Sequence, residues 1–249
     1  MRITTILNQK GGTGKSTTAH ALATGLTQRG LKALVIDADA QGNITDSMNA
    51  DPLKKGLYDL MRGNVSAADA IQHTAQGDII ASCLDLAGAD MEFTQTGREY
   101  LLREALEPVK EYSHIIIDSP PALGIMSVNA LTASGDVVIP ANADMYSLQG
   151  LNQLLNTIAR VRKYSNPGLK ISGLLITRKG ANTVATRTML EQIQRSADAA
   201  GLYLYRAMIR EATAIREAQI TQRSIFEHAP TAKVTADYNA FIDEYLKQE

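Results

Sequence analysis

Ten consecutive residues, Asn8-Gln9-Lys10-Gly11-Gly12-Thr13-Gly14-Lys15-Ser16-Thr17, combine three glycines with two lysines and three hydroxyl side chains. That mixture suits the holding of a phosphate chain. Glycines let successive backbone N–H groups close on an anion, and the N-terminus of a following helix adds partial positive charge. In such a loop Lys15 reaches the β- and γ-phosphates, and the Ser16 hydroxyl serves as a Mg2+ ligand. The elements needed to position it flank it: an apolar, β-branched run at 3–7 reads as a strand, and 16–29 reads as a helix. A glycine-rich turn without a ligand is the plainer account. It fails to explain why strand, glycines, Gly-Lys-Ser and helix start occur together.

The usual P-loop pattern places a glycine five residues before Gly14. Gln9 stands there instead, and Lys10 is a second lysine beside the phosphates. Further along, two buried-looking strands end in carboxylates: 31–38 runs into Asp37 and Asp39, and 112–118 ends at Asp118. In a parallel sheet, ligands sit at the carboxyl ends of the strands. A carboxylate there needs a partner, and Mg2+ bound to ATP is one, since that ion keeps several waters and takes few protein ligands. A single Asp would be read as a turn cap. Three beside a phosphate loop point to metal and to the attacking water.

The positioning framework follows from the alternation of patterns. Strands are expected at 3–7, 31–38, 112–118, 136–140, 171–177 and 203–209, with a short one near Ile79-Ile80. Helices are expected at 16–29, 97–110, 127–133, 148–164, 186–200 and 234–246. The last carries Val234, Tyr238, Phe241, Ile242, Tyr245 and Leu246 on one face. The segment 41–95 reads as less regular. Strands alternating with helices imply an α/β fold, a mainly parallel twisted sheet with helices on both faces. The 249 residues, 45% hydrophobic and without a linker or repeat, are read as one domain, 1–249. One cysteine, Cys83, excludes an internal disulfide and a cysteine-held cluster. Met1-Arg2 leads straight into the first strand and no apolar run approaches ~18 residues, so a cytoplasmic protein is expected.

Three stretches in order carry a resemblance: Lys10 to Thr17, Asp37-Ala38-Asp39-Ala40-Gln41-Gly42-Asn43, and Ile115-Ile116-Ile117-Asp118-Ser119-Pro120-Pro121. The chain resembles the deviant Walker A ATPases of the ParA/MinD class, within the P-loop NTPase fold. The ParA-type partition proteins are the most similar branch, in the short form without an N-terminal helix-turn-helix. The likeness continues through 129–132, 140–151, 174–179 and 207–227.

The resemblance implies an ATPase that uses ATP and Mg2+, slow without an activator, and dimeric in the ATP state. It makes Lys10 the signature lysine crossing to the partner's phosphates, a cation placed as an arginine finger is. Gly11, Gly12, Thr13 and Gly14 then cradle phosphate, with Lys15, Ser16 and Thr17 as further phosphate and metal contacts. Asp39 positions the hydrolytic water, Asp118 is the Walker B carboxylate behind the metal, and Asp37 its outer-shell partner. Arg178 falls near the adenine. The implied partners are non-specific duplex DNA on the nucleoid and a ParB-like, centromere-binding activator.

Charge distribution bears on the DNA partner. Net charge is −1, yet residues 37–107 hold 5 Lys/Arg against 13 Asp/Glu, and 178–223 hold 8 against 4. Non-specific DNA affinity comes from phosphate contacts and counterion release. Arg187, Arg206, Arg210, Arg216 and Arg223 are the candidate contacts, each of which taken singly reads as a solvated helix face. Relatives of this class often carry a Pro-Arg pair ahead of the Glu-Ala step, here Glu217-Ala218, and this chain has Arg210-Glu211 instead. A membrane-binding relative would need a basic amphipathic tail. The tail here carries Asp243, Glu244 and Glu249 against Lys247, so no membrane partner is expected. An iron-protein reductase would need cysteines for a cluster bridging two subunits, and one per chain is too few. Positioning of a non-DNA protein cargo stays open, because cargo is read by surfaces.

Overall fold

The computed structural model describes residues 1–181 and 183–248, with side chains throughout except at 145–149. Glu249, counted above among the acids of the tail, lies outside the described residues.

Eight strands form one sheet: β1 (Arg2–Ile6), β2 (Ala33–Asp37), β3 (Ile71–Thr74), β4 (Gly77–Ile80), β5 (His114–Asp118), β6 (Asp136–Asn142), β7 (Lys170–Lys179) and β8 (Leu204–Arg210). Their order is β3-β4-β2-β5-β1-β6-β7-β8. Every pairing is parallel except β3 with β4, an antiparallel hairpin at one edge. The central strands are apolar without alternation because both faces are covered. Val35 and Ile116 pack into one apolar cluster with the helices Lys15–Gln28 and Lys233–Leu246. Their neighbours Leu34, Ile36, Ile115 and Ile117 pack into another, with the helix Ile125–Ala133. Adjacent residues of a strand point to opposite faces, so helices cover both sides, as the α/β reading expected.

Element boundaries shift by a few residues from those read off the sequence, and several elements go beyond it, among them the short helices Asn43–Ser47, Leu57–Met61 and Ile225–His228. The edge strand β3 was not expected; four residues give no period to read. The helix Thr213–Ile220 was also unassigned. It buries only Ala218 fully, so its apolar signal is thin.

Each end of the sheet order, and each end of the strands, is treated differently. The outer edge of β8 is closed by carboxylates of the terminal helix: Glu244 accepts from the backbone N–H groups of Arg206 and Ala207 at 3.0 and 3.1 Å, and Asp237 from that of Arg210 at 3.1 Å. Asp243 of the same helix pairs with Arg29 at 2.8 Å. The acids of the tail therefore hold it to the body, and its apolar face (Val234, Tyr238, Phe241, Ile242, Tyr245) is buried rather than presented to a membrane. At the amino ends of the strands, Arg2 donates to Asp136 at 2.7 Å, to Ser172 at 3.2 Å and to the Tyr245 carbonyl at 3.1 Å. Its guanidinium also lies 3.8 Å from the Tyr245 ring centre. No helix among the described residues is long and apolar enough to cross a membrane.

Candidate functional site

At the carboxyl ends of the strands, the register sets three ends abreast. Ile6 of β1 lies opposite Asp118 of β5, and Asp118 opposite Asp37 of β2. The ten-residue loop leaves β1 here and enters the helix Lys15–Gln28 through Gly14. Gly12 and Gly14 have φ of 73° and 78°, left-handed backbone that a side chain would strain, and this turns the loop inward. Neighbouring strands hold it from outside. Asn8 donates to the Pro140 carbonyl at 2.6 Å and accepts from the Lys10 N–H at 3.0 Å. Thr177 donates to the Thr13 carbonyl at 2.7 Å. Neither Asn8 nor Thr177 was singled out from the sequence; Asn8 stood inside the motif, but its anchoring role depends on β6 lying alongside.

Lys15 is buried, and among the described residues its Nζ reaches only the Lys10 carbonyl, at 3.4 Å. Burial lowers its pKa, and the nearby Asp118 and Asp39 pull it back up. Lys10 points elsewhere, its Nζ 2.6 Å from Asp144 of the same chain. Arg178, itself at φ 50°, lies over the loop: it donates to the Gly12 carbonyl at 3.1 Å and pairs with Glu211 at 3.0 Å. Together with Gly14, Thr17 and Tyr238 these residues line a cavity of about 210 Å³. The cavity is bounded on its far side by the segment after β8.

The two carboxylates that sit side by side are not equivalent. Asp37 accepts from the Thr45 N–H at 2.9 Å, the Thr45 hydroxyl at 2.8 Å and the Asp39 N–H at 3.3 Å. Burial pushes its pKa up to about 6, against the pull of those bonds. Asp118 is fully buried, and neither of its oxygens accepts a hydrogen bond from the described residues. Its pKa rises well above the usual range through burial first and Asp37 second. Ser16 and Lys15 temper that rise, Ser16 without reaching hydrogen-bond geometry. A buried carboxylate with no donor is a group prepared for a cation. Asp39 sits beside the pair, accepting from the Gln41 N–H at 3.1 Å, while its carbonyl accepts from Ser82 at 2.6 Å.

The structure thus brings the loop, Lys15, Ser16, Asp37, Asp39, Asp118 and Arg178 together. Among the arginines considered for DNA, it separates them. Arg210 is gripped by both oxygens of Asp237, at 2.6 and 2.7 Å. Arg216 and Arg223 are exposed and only loosely paired, each 3.7 Å from Glu211 and Glu227 respectively. Arg187 and Arg206 are exposed, on the helix Val184–Ala199 and on β8.

Comparison with known proteins extends beyond the loop. A family model described as an AAA domain matches residues 1–171. The chain is 40% identical to the sporulation initiation inhibitor protein Soj of Bacillus subtilis over 200 residues, 78% of this chain and 79% of that one. It is 40% identical to the chromosome partitioning protein ParA of Caulobacter vibrioides over 185 residues, 71% of this chain and 69% of the relative. Among solved structures, a cobyrinic acid a,c-diamide synthase from Mycobacterium smegmatis with bound ATP analog and magnesium superposes with a TM-score of 0.86. It is 31% identical over 100% of this chain and 95% of that one.

Proposed function

This chain belongs to the ParA/Soj family of partition ATPases, and on that premise we propose that it is an ATP-hydrolysing switch for plasmid or chromosome partition. In this reading residues 1–249 act as one unit, dimerise with ATP, and bind DNA without sequence preference in that state. A ParB-like partner stimulates hydrolysis and so releases the DNA.

The observation that carries the nucleotide part is the bare Asp118 carboxylate beside the glycine loop. A magnesium–nucleotide fits these residues: Ser16 would offer a hydroxyl to the metal, and Asp118 would be the carboxylate standing behind it. Mg2+, when bound, offsets charge on the phosphates. The chain supplies the rest. Gly11 to Gly14 present N–H groups, Lys15 holds the β- and γ-phosphates, and Thr17 adds a hydroxyl. Asp39 orients the attacking water, and Asp37, already saturated by Thr45, fixes the segment that carries Asp39. Arg178 closes the base side. Lys10 acts across the dimer, on the partner's nucleotide, where a positive charge stabilises the transferring phosphoryl group.

The partition part is supported by the relatives' names and by the excess of arginine in 178–223. The synthase from Mycobacterium smegmatis shares the fold under a different activity, so the likeness supports the nucleotide site more strongly than the cargo. The deciding experiment measures binding to arbitrary duplex DNA with ATP, with ADP and without nucleotide across a salt series, using Asp39→Ala to hold the ATP state. ATP-dependent affinity that falls steeply with salt, and falls again on Arg216→Ala, is expected. An ATP dimer that ignores DNA would move the cargo to a protein.

A further inference from the structure

We propose that Gln76, at the turn between β3 and β4, is the joint that couples nucleotide state to the arginine-bearing segment around Gln222. This rests on the switch reading above and names how the DNA surface of that switch is regulated.

The connections are direct. Gln76 lies at the tip of the edge hairpin, outside every motif. Its Oε1 faces Nε2 of His20, at 2.9 Å, and its Nε2 donates to the Ser47 carbonyl at 2.7 Å and to the Gln222 carbonyl at 2.9 Å. His20 belongs to the helix that begins at the phosphate loop, and it is buried, with its pKa lowered by burial to about 4. It is therefore neutral, and its Nε2 carries the proton that Gln76 accepts. The two carbonyls require the amide nitrogen on their side, so the Gln76 side chain has one workable orientation.

Ser47 ends the short helix Asn43–Ser47, which contains Thr45, the residue that saturates Asp37. The Thr45 hydroxyl also accepts from the Ser82 N–H at 2.9 Å, and Ser82 holds the Asp39 carbonyl. Any rearrangement of Asp37 or Asp39 when nucleotide and metal bind must therefore move or strain this short helix. On the other side, Gln222 has φ 50°, and its side chain donates to the Asp46 carbonyl at 3.0 Å. Gln222 stands between the helix Thr213–Ile220, which carries Arg216, and Arg223. Thr213, Arg216, Glu217 and Ile220 form the exposed face of that helix, and the exposed Arg223 follows just beyond its end. One glutamine thus ties three elements: the phosphate-loop helix, the carboxylate-supporting helix and the arginine segment.

Coupling through such a contact is a free energy linking two sites, and in proteins it commonly changes affinity between 5- and 150-fold. Two readouts test it. Hydrogen exchange at 219–224 is followed with ATP and without nucleotide, and DNA affinity is measured in the ATP and ADP states. Wild type should show nucleotide-dependent protection at 219–224. In Gln76→Ala, and in Gln76→Glu (which removes both N–H donors) as a second variant should the first fail to fold, that response should vanish. ATP affinity should stay within about twofold, and the ATP-to-ADP ratio of DNA affinity should fall by about tenfold. Protection at 219–224 that ignores nucleotide in wild type, or that responds equally in the folded variants, overturns the joint. Nucleotide-dependent protection that the variants abolish, in a protein that binds no DNA, upholds the joint and overturns the DNA reading alone.

Discussion

Both ends of the central strands bury charge, and they do so in opposite ways. At the amino ends, Arg2 has a carboxylate, a hydroxyl, a carbonyl and an aromatic face, and Asp136 is further bonded by the Thr4 hydroxyl at 2.9 Å. At the carboxyl ends, among the described residues, Asp118 has no donor and Lys15 has one long contact. Left-handed backbone gathers there too, at Gly12, Gly14 and Arg178. One end is finished by folding; the other is finished only by a ligand. Strain and unsatisfied groups are tolerated where function repays them.

The contrast can be broken by exchanging the consequences of mutation. Lys15→Ala should reduce ATP hydrolysis about a thousandfold while leaving the melting temperature of the nucleotide-free protein unchanged or raised, measured by phosphate release and thermal unfolding. Arg2→Ala should do the reverse, destabilising the fold by about 3 kcal/mol in urea unfolding with nucleotide affinity preserved, because it strands Asp136 in a mostly buried place. A large stability loss in the first, or a lost nucleotide site in the second, would erase the distinction.

Asp118→Asn sharpens it. Removing an unpaired buried charge should stabilise the nucleotide-free protein by about 1–2 kcal/mol and abolish the extra stabilisation by magnesium–nucleotide. The sign with pH is set by the raised pKa values. Protonated Asp37 and Asp118 contribute stability that is full below pH 3.8, their ordinary value, and is lost as pH rises through the folded values, about 6 for Asp37. The advantage of Asp118→Asn over wild type should therefore grow from pH 4 upward. An advantage that shrinks with pH would mean that Asp118 has a partner. The smallest effect belongs to Asp243→Ala. That carboxylate is 60% exposed, so losing its pairing with Arg29 should cost no more than about 0.5 kcal/mol, by the same unfolding assay.

How far the sequence spoke depended on how local each signal was. The phosphate loop was legible because strand, glycines and helix start are contiguous. Asp37 and Asp118 were legible because each ends an apolar run, and their adjacency follows from parallel pairing. Their inequality was not legible. It depends on Thr45, eight residues past Asp37, folding back through a five-residue helix. Gln76 and Gln222 were silent for the same reason, since their partners lie 29 to 176 residues away and polar turn residues carry no period. Arg210 had looked like a free cation, and only the tertiary fold revealed Asp237 beside it.

The carboxylates that close β8 have a consequence for how this chain behaves among copies of itself. A strand edge with open N–H groups is a template on which another chain can crystallise as β-structure. Glu244 and Asp237 occupy that template from within, so the terminal helix is a safeguard against sheet-to-sheet polymerisation as well as a piece of core. A chain cut before residue 233 would uncover seven residues of β8, and its fate should be insoluble aggregate rather than a smaller soluble ATPase.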